Sequence, residues 1–355
     1  MAFLPREKYM MRCIELAKTS MGNTSPNPMV GSVIVYNNKI IGEGYHHKAG
    51  ESHAEVNAIN SVSNKALLKK STLYVNLEPC AHFGKTPPCA NLIADLKIPN
   101  VVIGTTDTAA HVSGKGIEIL RNAGCNVQTG ILEKESRELN KRFFTFHEKK
   151  RPYIILKWAE TIDGFIDIDK KIKHEIKPTW ITNEFSKTLV HKWRADEDAI
   201  LIGTNTVVSD NPSLTTREWC GKNPVRIVLD RNLKLLPELN VFNNEAKTLI
   251  IADISCKNQK LSNINSKIGI EFVNFSSDFI NQLMVILVKY KLLSIIIEGG
   301  ATILQHFIDQ NFWDEARVFI GAKNFKKGIK APVIGKTGMF MERLGDSNVF
   351  LFVND

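Results

Sequence analysis

Short runs of β-branched and aliphatic residues alternate with stretches of helical periodicity along this chain, and the pattern is laid down twice. In the first block Val30–Tyr36 and Lys39–Tyr45 read as strands joined through Asn37-Asn38, a pair suited to a tight hairpin turn. Thr72–Leu77, Val101–Thr105 and Cys125–Thr129 follow as strands. Helices are expected over residues 6–20, Glu51–Ser61, Pro88–Leu96, Gly116–Asn122 and Leu132–Phe144. Strands interleaved with helices bury a sheet on both faces, so this block predicts a three-layer α/β domain with a mixed sheet.

The charged, proline-ended run His147-Glu-Lys-Lys-Arg-Pro152 reads as a linker. Beyond it, strands are expected at Tyr153–Trp158, Ala199–Ile202, Val225–Leu229, Thr248–Ala252 and Leu293–Glu298. Helices are expected at Glu184–Arg194, Phe279–Tyr290 and Thr302–Asp309, making a second α/β domain. The polar, lysine-rich stretch Asn240–Ser277 holds, besides the strand Thr248–Ala252, variable surface loops.

A length of 355 residues fits two such domains. With 43% hydrophobic and 23% charged residues, wholesale disorder is excluded. No apolar run approaches the ~18–20 residues of a membrane span, and the first residues carry no apolar signal core. A cytoplasmic protein without membrane association is expected. The net charge of +9 suits nucleic acid or a phosphorylated small molecule. No arginine-rich or aromatic-interleaved basic stripe accompanies it, so no nucleic-acid partner is expected. The six cysteines are scattered, which directs attention to metal or catalytic use instead of a disulfide framework.

The strongest chemical signal is His53-Ala-Glu55, then Pro79-Cys80 and Cys89. A hydrolytic zinc site takes three imidazole or thiolate ligands and keeps a fourth position for water, whose pKa falls toward ~7. Glu55, two residues past His53 at a helix start, can reach that water without being a ligand and carry its proton to a leaving amine. His82 is a rival ligand. The helix re-entry after Pro87-Pro88, and the single residue between Cys80 and His82, favour Cys89.

H-x-E followed by P-C resembles the zinc nucleoside and nucleobase deaminases, with a second cysteine spacing six residues longer than theirs. That lengthened loop with Gly84-Lys85-Thr86-Pro87-Pro88, the Pro26-Asn27-Pro28-x-Val30-Gly31 loop and Gly42-x-Gly44-Tyr45-His46 together resemble the bifunctional riboflavin-biosynthesis deaminase/reductases. The resemblance covers nearly the whole chain. It implies a cytidine-deaminase-like three-layer α/β/α domain over residues 1–146, zinc-dependent, and a dihydrofolate-reductase-like α/β domain over 152–355, NADPH-dependent. It implies hydrolysis of the 2-amino group of 2,5-diamino-6-ribosylamino-4(3H)-pyrimidinone 5′-phosphate, with Asn27 and His46 holding the substrate and Lys85 its phosphate. Lys85 reads equally as a solvated loop lysine. Asp107-Thr-Ala-Ala-His111 replaces the family's D-P-N-P segment.

The second block lacks the G-x-G-x-x-G fingerprint; instead a buried strand, Ile295–Glu298, runs into Gly299-Gly300-Ala301-Thr302 and a helix. Trp180-Ile-Thr182, His191-x-x-Arg194 and the run Gly203–Arg217 resemble the reductase half of the same family. The implied reaction is hydride transfer from NADPH, opening the ribosyl group to a ribityl chain. Lys157, Asp210 and Glu298, placed at strand ends, are the candidates for positioning the sugar and moving a proton. By the resemblance Arg194 and Arg217 grip the 5′-phosphate, and Pro178, Leu214 and Glu298 also meet the substrate. Ala159, Trp180, Thr206, Asp210 and Gly300, Ala301, Thr302, Ile303, Leu304, Gln305 and His306 face the dinucleotide. The plain alternatives are a surface role for Lys157 and pairing of Arg194 with Asp196 or Glu197. Pro178 stands where a small hydroxyl residue is common, and Arg231 where a serine is common. Arg231 is a candidate for the 2′-phosphate, or else pairs with Asp230.

A nucleic-acid base deaminase and a zinc-stabilised binding protein are the competing classes. The longer cysteine loop and the run 203–217 speak against the first, and Glu55 is superfluous in the second. The resemblance also suggests a homo-oligomer.

Overall fold

The computed structural model describes residues 5–81, 87–108, 114–168, 176–258 and 267–354. The chain divides into two compact units, Met1–Lys150 and Arg151–Asp355. Unit 1 runs α1 (Pro5–Lys18), β1 (Gly31–Tyr36), β2 (Lys39–Tyr45), α2 (Ala54–Ser61), β3 (Thr72–Leu77) and α3 (Cys89–Asp95). It continues with β4 (Asn100–Thr105), α4 (Lys115–Asn122), β5 (Asn126–Thr129), α5 (Glu133–Leu139) and α6 (Lys141–Lys149).

The five strands order as β2-β1-β3-β4-β5. β1 is antiparallel to both its neighbours, and β3, β4 and β5 are parallel. Strand alternation sorts side chains between two cores. Ile34, Leu73, Val75, Val101 and Ile103 pack with α2, α3 and α4, while Val33, Val35, Tyr74 and Val102 pack with α1 and Leu139 of α5. Each fully buried aliphatic side chain contributes roughly 1.5–3 kcal/mol against exposure. The result is a three-layer α/β/α sandwich. Asn37 and Asn38 both take positive φ, 46° and 60°, the conformation of the hairpin turn their chemistry predicts.

Two readings of this unit need correction. Leu132–Phe144 is not one helix but two, α5 and α6, parted at Asn140. The Asn140 amide exchanges hydrogen bonds with the Met29 backbone, accepting its N–H and donating to its carbonyl, both at 2.8 Å. Tertiary bonding there outweighs helix continuity. The charged run from His147 is not open linker at its start, since α6 continues through Lys149.

Unit 2 runs β6 (Tyr153–Thr161), β7 (Phe165–Ile168), α7 (Glu184–Asp196), β8 (Ala199–Gly203), α8 (Thr204–Asp210), β9 (Val225–Leu229), β10 (Thr248–Asp253) and β11 (Ile268–Val273). Then come α9 (Phe279–Lys289), β12 (Ser294–Gly299), α10 (Ala301–Asp309), β13 (Glu315–Gly321), β14 (Gly328–Lys330), β15 (Met339–Leu344) and β16 (Ser347–Val353). A nine-stranded sheet orders as β11-β10-β9-β8-β12-β6-β13-β16-β15, and β7 pairs with β14. Strands β11 through β13 in that order are parallel; β16 and β15 close the sheet antiparallel.

Alternation again divides the faces. Ile154, Leu156, Leu201, Ile227, Ile295 and Ile297 pack with α9 and α10, and Ile155, Ile200, Ile202, Val228 and Ile296 with α7 and α8. The stretch Asn240–Ser277 holds a second strand besides the expected one, because Ile268–Val273 forms edge strand β11 beside β10. Its side chains are mostly half-buried, so no strong apolar run announces it.

Candidate active sites

His53 caps the start of α2 in extended backbone, φ −73° and ψ 163°, which leaves Glu55 in the first helical turn. Cys80 follows β3, and Cys89 opens α3 directly after Pro88. The His53 Nδ1 lies 3.4 Å from each sulfur, Cys80 Sγ and Cys89 Sγ. All three donor atoms fall within 4.8 Å of one another. Tetrahedral bonds of about 2.3 Å to sulfur and about 2.0 Å to nitrogen separate such donors by about 3.6 Å, so one imidazole and two thiols here fit zinc.

Glu55 is 3% exposed. Burial, reinforced by the facing Cys80, raises its carboxyl to about 7, where it can take up and release a proton near neutrality. The Cys89 thiol, His53 and the Cys89 main-chain N–H, which donates to Cys80 Sγ at 3.3 Å, together hold Cys80 toward thiolate at about 4 against the cost of burial.

Beside this centre His46 Nε2 lies 3.1 Å from the Asn27 amide nitrogen, Nδ2, and its Nδ1 meets the Ser52 carbonyl at 3.1 Å. A carbonyl only accepts, so Nδ1 carries the proton and Nε2 receives the Asn27 amide N–H. Burial keeps the ring below the ordinary histidine range, and it lies edge-on to His53 at 5.4 Å. Lys85 and the rival ligand His82 lie outside the described residues, as does His111.

Sequence reasoning passed over Glu78. Its carboxylate, 4% exposed, accepts main-chain N–H groups from Asp107, Gly114, Gly116 and Ile117. A Cβ on Gly116 would stand 2.1 Å from the Pro79 carbonyl, so only glycine admits this close approach. A buried acid two residues before a candidate metal ligand was the available signal.

In unit 2 the strand-end placement is corrected for two of three residues. Lys157 sits mid-strand in β6, and Asp210 is the last residue of helix α8. Glu298 lies at a register shift between β12 and β8, a bulge that re-aims its side chain. The Glu298 carboxylate pairs with Arg194 at 2.7 Å and Lys157 at 3.8 Å. Burial pushes it up, but Arg194 and Lys157 outweigh burial and hold it at about 2. Burial lowers Lys157 in turn. Arg194 therefore pairs with neither neighbouring acid: Asp196 is bonded to Lys192 and Glu197 to Arg317.

His191, also absent from the sequence reading as a site residue, accepts the main-chain N–H of Arg217 at Nδ1, 2.8 Å. Burial, then Arg194 and Arg217, lower its pKa to about 4. Arg217 is exposed, whereas Leu214 is 3% exposed, packed in the core. Pro178 is half-buried and Trp180 53% exposed, its ring facing Lys187.

Thr206 Oγ1 accepts the Gly300 N–H at 3.1 Å, tying α8 to the start of α10. A Cβ on Gly203 would strike the Ile303 side chain at 2.4 Å, so the two strand-to-helix turns interlock. Both helices begin at the carboxyl ends of adjacent parallel strands, the place where open α/β sheets bind dinucleotide phosphates. Ala159 shares the sheet face of Lys157.

Not every position from Gly300 to His306 can present a side chain there, since a helix turns fully in about 3.6 residues. Leu304 is 0% exposed in the core, and Gln305 is bonded to Asp309 and to the Val333 backbone. Ala301 is half-buried, and Thr302 and His306 are exposed. Arg231 pairs not with Asp230 but with Asp253, 3.7 Å away across parallel strands, and stacks 5.7 Å over Phe275. Asp230 instead receives the N–H groups of Lys234 and Leu235.

These features define the class: a zinc-site deaminase unit followed in the chain by a reductase unit of the α/β type. Residues 5–105 match the cytidine and deoxycytidylate deaminase zinc-binding region, and residues 152–336 match the RibD C-terminal domain. The riboflavin biosynthesis protein RibD of Aquifex aeolicus is 40% identical over 331 residues, 93% of this chain and 90% of that protein. That of Bacillus amyloliquefaciens is 38% identical over 88% of this chain and 83% of its own length. A crystal structure from Thermotoga maritima of a diaminohydroxyphosphoribosylaminopyrimidine deaminase/5-amino-6-(5-phosphoribosylamino)uracil reductase superposes with a TM-score of 0.86 at 34% identity, covering 99% of both chains. The chain belongs to the RibD family of bifunctional deaminase/reductases in riboflavin biosynthesis.

Proposed function

We propose that unit 1 deaminates 2,5-diamino-6-ribosylamino-4(3H)-pyrimidinone 5′-phosphate at C2, and that unit 2 reduces the deaminated ribosyl compound to its ribityl form with NADPH. The observation that carries the reading is the convergence of His53, Cys80 and Cys89 beside the buried Glu55. His53, Cys80 and Cys89 would hold zinc, which would lower the pKa of water enough to supply a hydroxide nucleophile at neutral pH. Glu55 accepts the proton released when that nucleophile forms and returns it to the departing amino group, so that water and the amine leave a carbonyl and ammonia. Asn27 and the neutral His46 orient the pyrimidine, and Lys85 holds its phosphate.

In unit 2 the starts of α8 and α10 would receive the pyrophosphate of NADPH, which would supply the hydride when bound. Thr206, Asp210, Ala159, Trp180 and the backbone of the α10 turn hold it, with Arg231 toward the 2′-phosphate. Lys157 and Asp210 move the proton that the opened sugar requires, and Glu298 keeps Lys157 and Arg194 in place. Arg194 and Arg217 hold the 5′-phosphate.

The protein is proposed to work in the cytoplasm as a homo-oligomer. Outside the metal site, Cys13, Cys125, Cys220 and Cys256 are thiols, Cys220 exposed among them, which supports a reducing compartment. The exposed Met339, Phe340 and Met341 on edge strand β15 support self-association. Among the described residues no helix is long and apolar enough to cross a membrane. The test is ammonia release from the diaminopyrimidine ribose phosphate followed by NADPH oxidation; NADPH oxidation without ammonia release overturns the reading.

A further inference from the structure

Between α8 and β9 the backbone is held in an uncommon path. Asn211 and Leu214 take positive φ, 40° and 55°, costly conformations for side chains with a Cβ. Two sets of bonds over-determine that path. The Asn211 side chain and carbonyl receive the Asn240 N–H and amide, each at 2.8 Å. The Arg226 guanidinium, 0% exposed in β9, donates to the carbonyls of Ser213 at 3.3 Å, Asn240 at 2.9 Å and Ala246 at 2.7 Å.

The segment so fixed presents Thr215, 3% exposed, between two cations. Its carbonyl accepts from Arg194 at 3.4 Å and its hydroxyl from Arg217 at 2.8 Å. His191 secures the Arg217 backbone from the other side at 2.8 Å. The Thr215 hydroxyl is the acceptor that orients the Arg217 guanidinium before a ligand arrives, and ordering that flexible side chain only on binding costs affinity.

We propose that Thr215 is a positioning residue for the reductase substrate: its hydroxyl pre-sets Arg217 beside Arg194, which Glu298 already holds, so that the two cations form one anion grip, and Arg226 fixes the loop that presents Thr215. This rests on the reading that the two arginines hold the substrate phosphate.

Thr215→Val removes the hydroxyl acceptor and keeps the carbonyl. Steady-state reduction of the phosphorylated deaminated intermediate should show its KM raised about tenfold, the scale of a hydrogen bond to a charged group, with kcat within about twofold. The KM for NADPH should not move, and Thr215→Ser should restore the wild-type value. Asn240→Ala, which loosens the loop at a half-buried residue bonded to neither Arg194 nor Arg217, should raise the same KM alone, with ammonia release unchanged.

Arg217→Gln is the control that separates the two levels. If it raises the substrate KM while Thr215→Val and Asn240→Ala do not, the positioning role is wrong and the phosphate grip stands. If Arg217→Gln leaves that KM alone, the grip reading fails and the inference falls with it. A fall in kcat with both KM values altered, unrescued by serine, would make Thr215 merely structural and overturn the proposal.

Discussion

Glu78 Oε1 accepts the main-chain N–H of Gly116 at 3.0 Å, and through this bond the chain entering Cys80 is tied to the start of α4. The same carboxylate also receives Asp107, Gly114 and Ile117. Glu78→Gln replaces one acceptor oxygen with an amide donor facing N–H groups that already donate. Unit 1 should lose about 1–3 kcal/mol in urea unfolding, and ammonia release should fall. An unchanged midpoint would show that these bonds reform around the amide.

Metal retention separates ligands from the proton carrier. Cys89→Ser and His53→Ala should lose zinc by elemental analysis, whereas Glu55→Gln and His82→Ala should keep it. Zinc kept in Cys89→Ser and lost in His82→Ala would transfer the third ligand to His82.

Acid should weaken unit 2 in two successive windows. The folded pKa of His191, about 4, lies below its ordinary 6.5, and that of Glu298, about 2, below its ordinary 4.5. For a depressed pKa the unfolded chain binds the proton first, so the stabilisation is complete above the ordinary value and is lost as pH falls. His191 loses its contribution from pH 6.5 down to about 4, and Glu298 from 4.5 down to about 2. Each loss is on the order of 3 kcal/mol, both groups being nearly enclosed. Denaturant midpoints measured against pH should flatten in the upper window for His191→Gln; a slope kept there would assign that window to another group.

Arg231 stands beside Asp253, Ser276 and Phe275 with more than half its side chain exposed, near the carboxyl end of β9. Arg231→Ser should raise the KM for NADPH about tenfold and leave that for NADH unchanged. Equal changes would place the 2′-phosphate elsewhere.

Much of this was legible because local chemistry and fold agree. Asn37-Asn38 could be read as a hairpin since few residues accept positive φ twice in succession. His53, Cys80 and Cys89 could be read as a ligand set since His53 and Cys89 stand at the starts of helices that the apolar periodicity marks and Cys80 follows a strand that it marks. The break at Asn140 could not, because the helical period runs through it and the Met29 backbone that causes the break is distant in sequence. The partner of Arg231 lies across parallel strands, and the acceptors on Thr215 become apparent only when α7 and the loop after α8 meet. Residues paired by sheet register leave no trace in spacing.

The central claim is that the two chemistries occupy separate sites on separate units. Glu55→Gln protein, loaded with zinc, should release ammonia from the diaminopyrimidine ribose phosphate at least about 100-fold more slowly than the unaltered chain. The same preparation, given the deaminated intermediate, should oxidise NADPH at the unaltered rate. Loss of both activities in a folded, zinc-loaded protein would contradict the account.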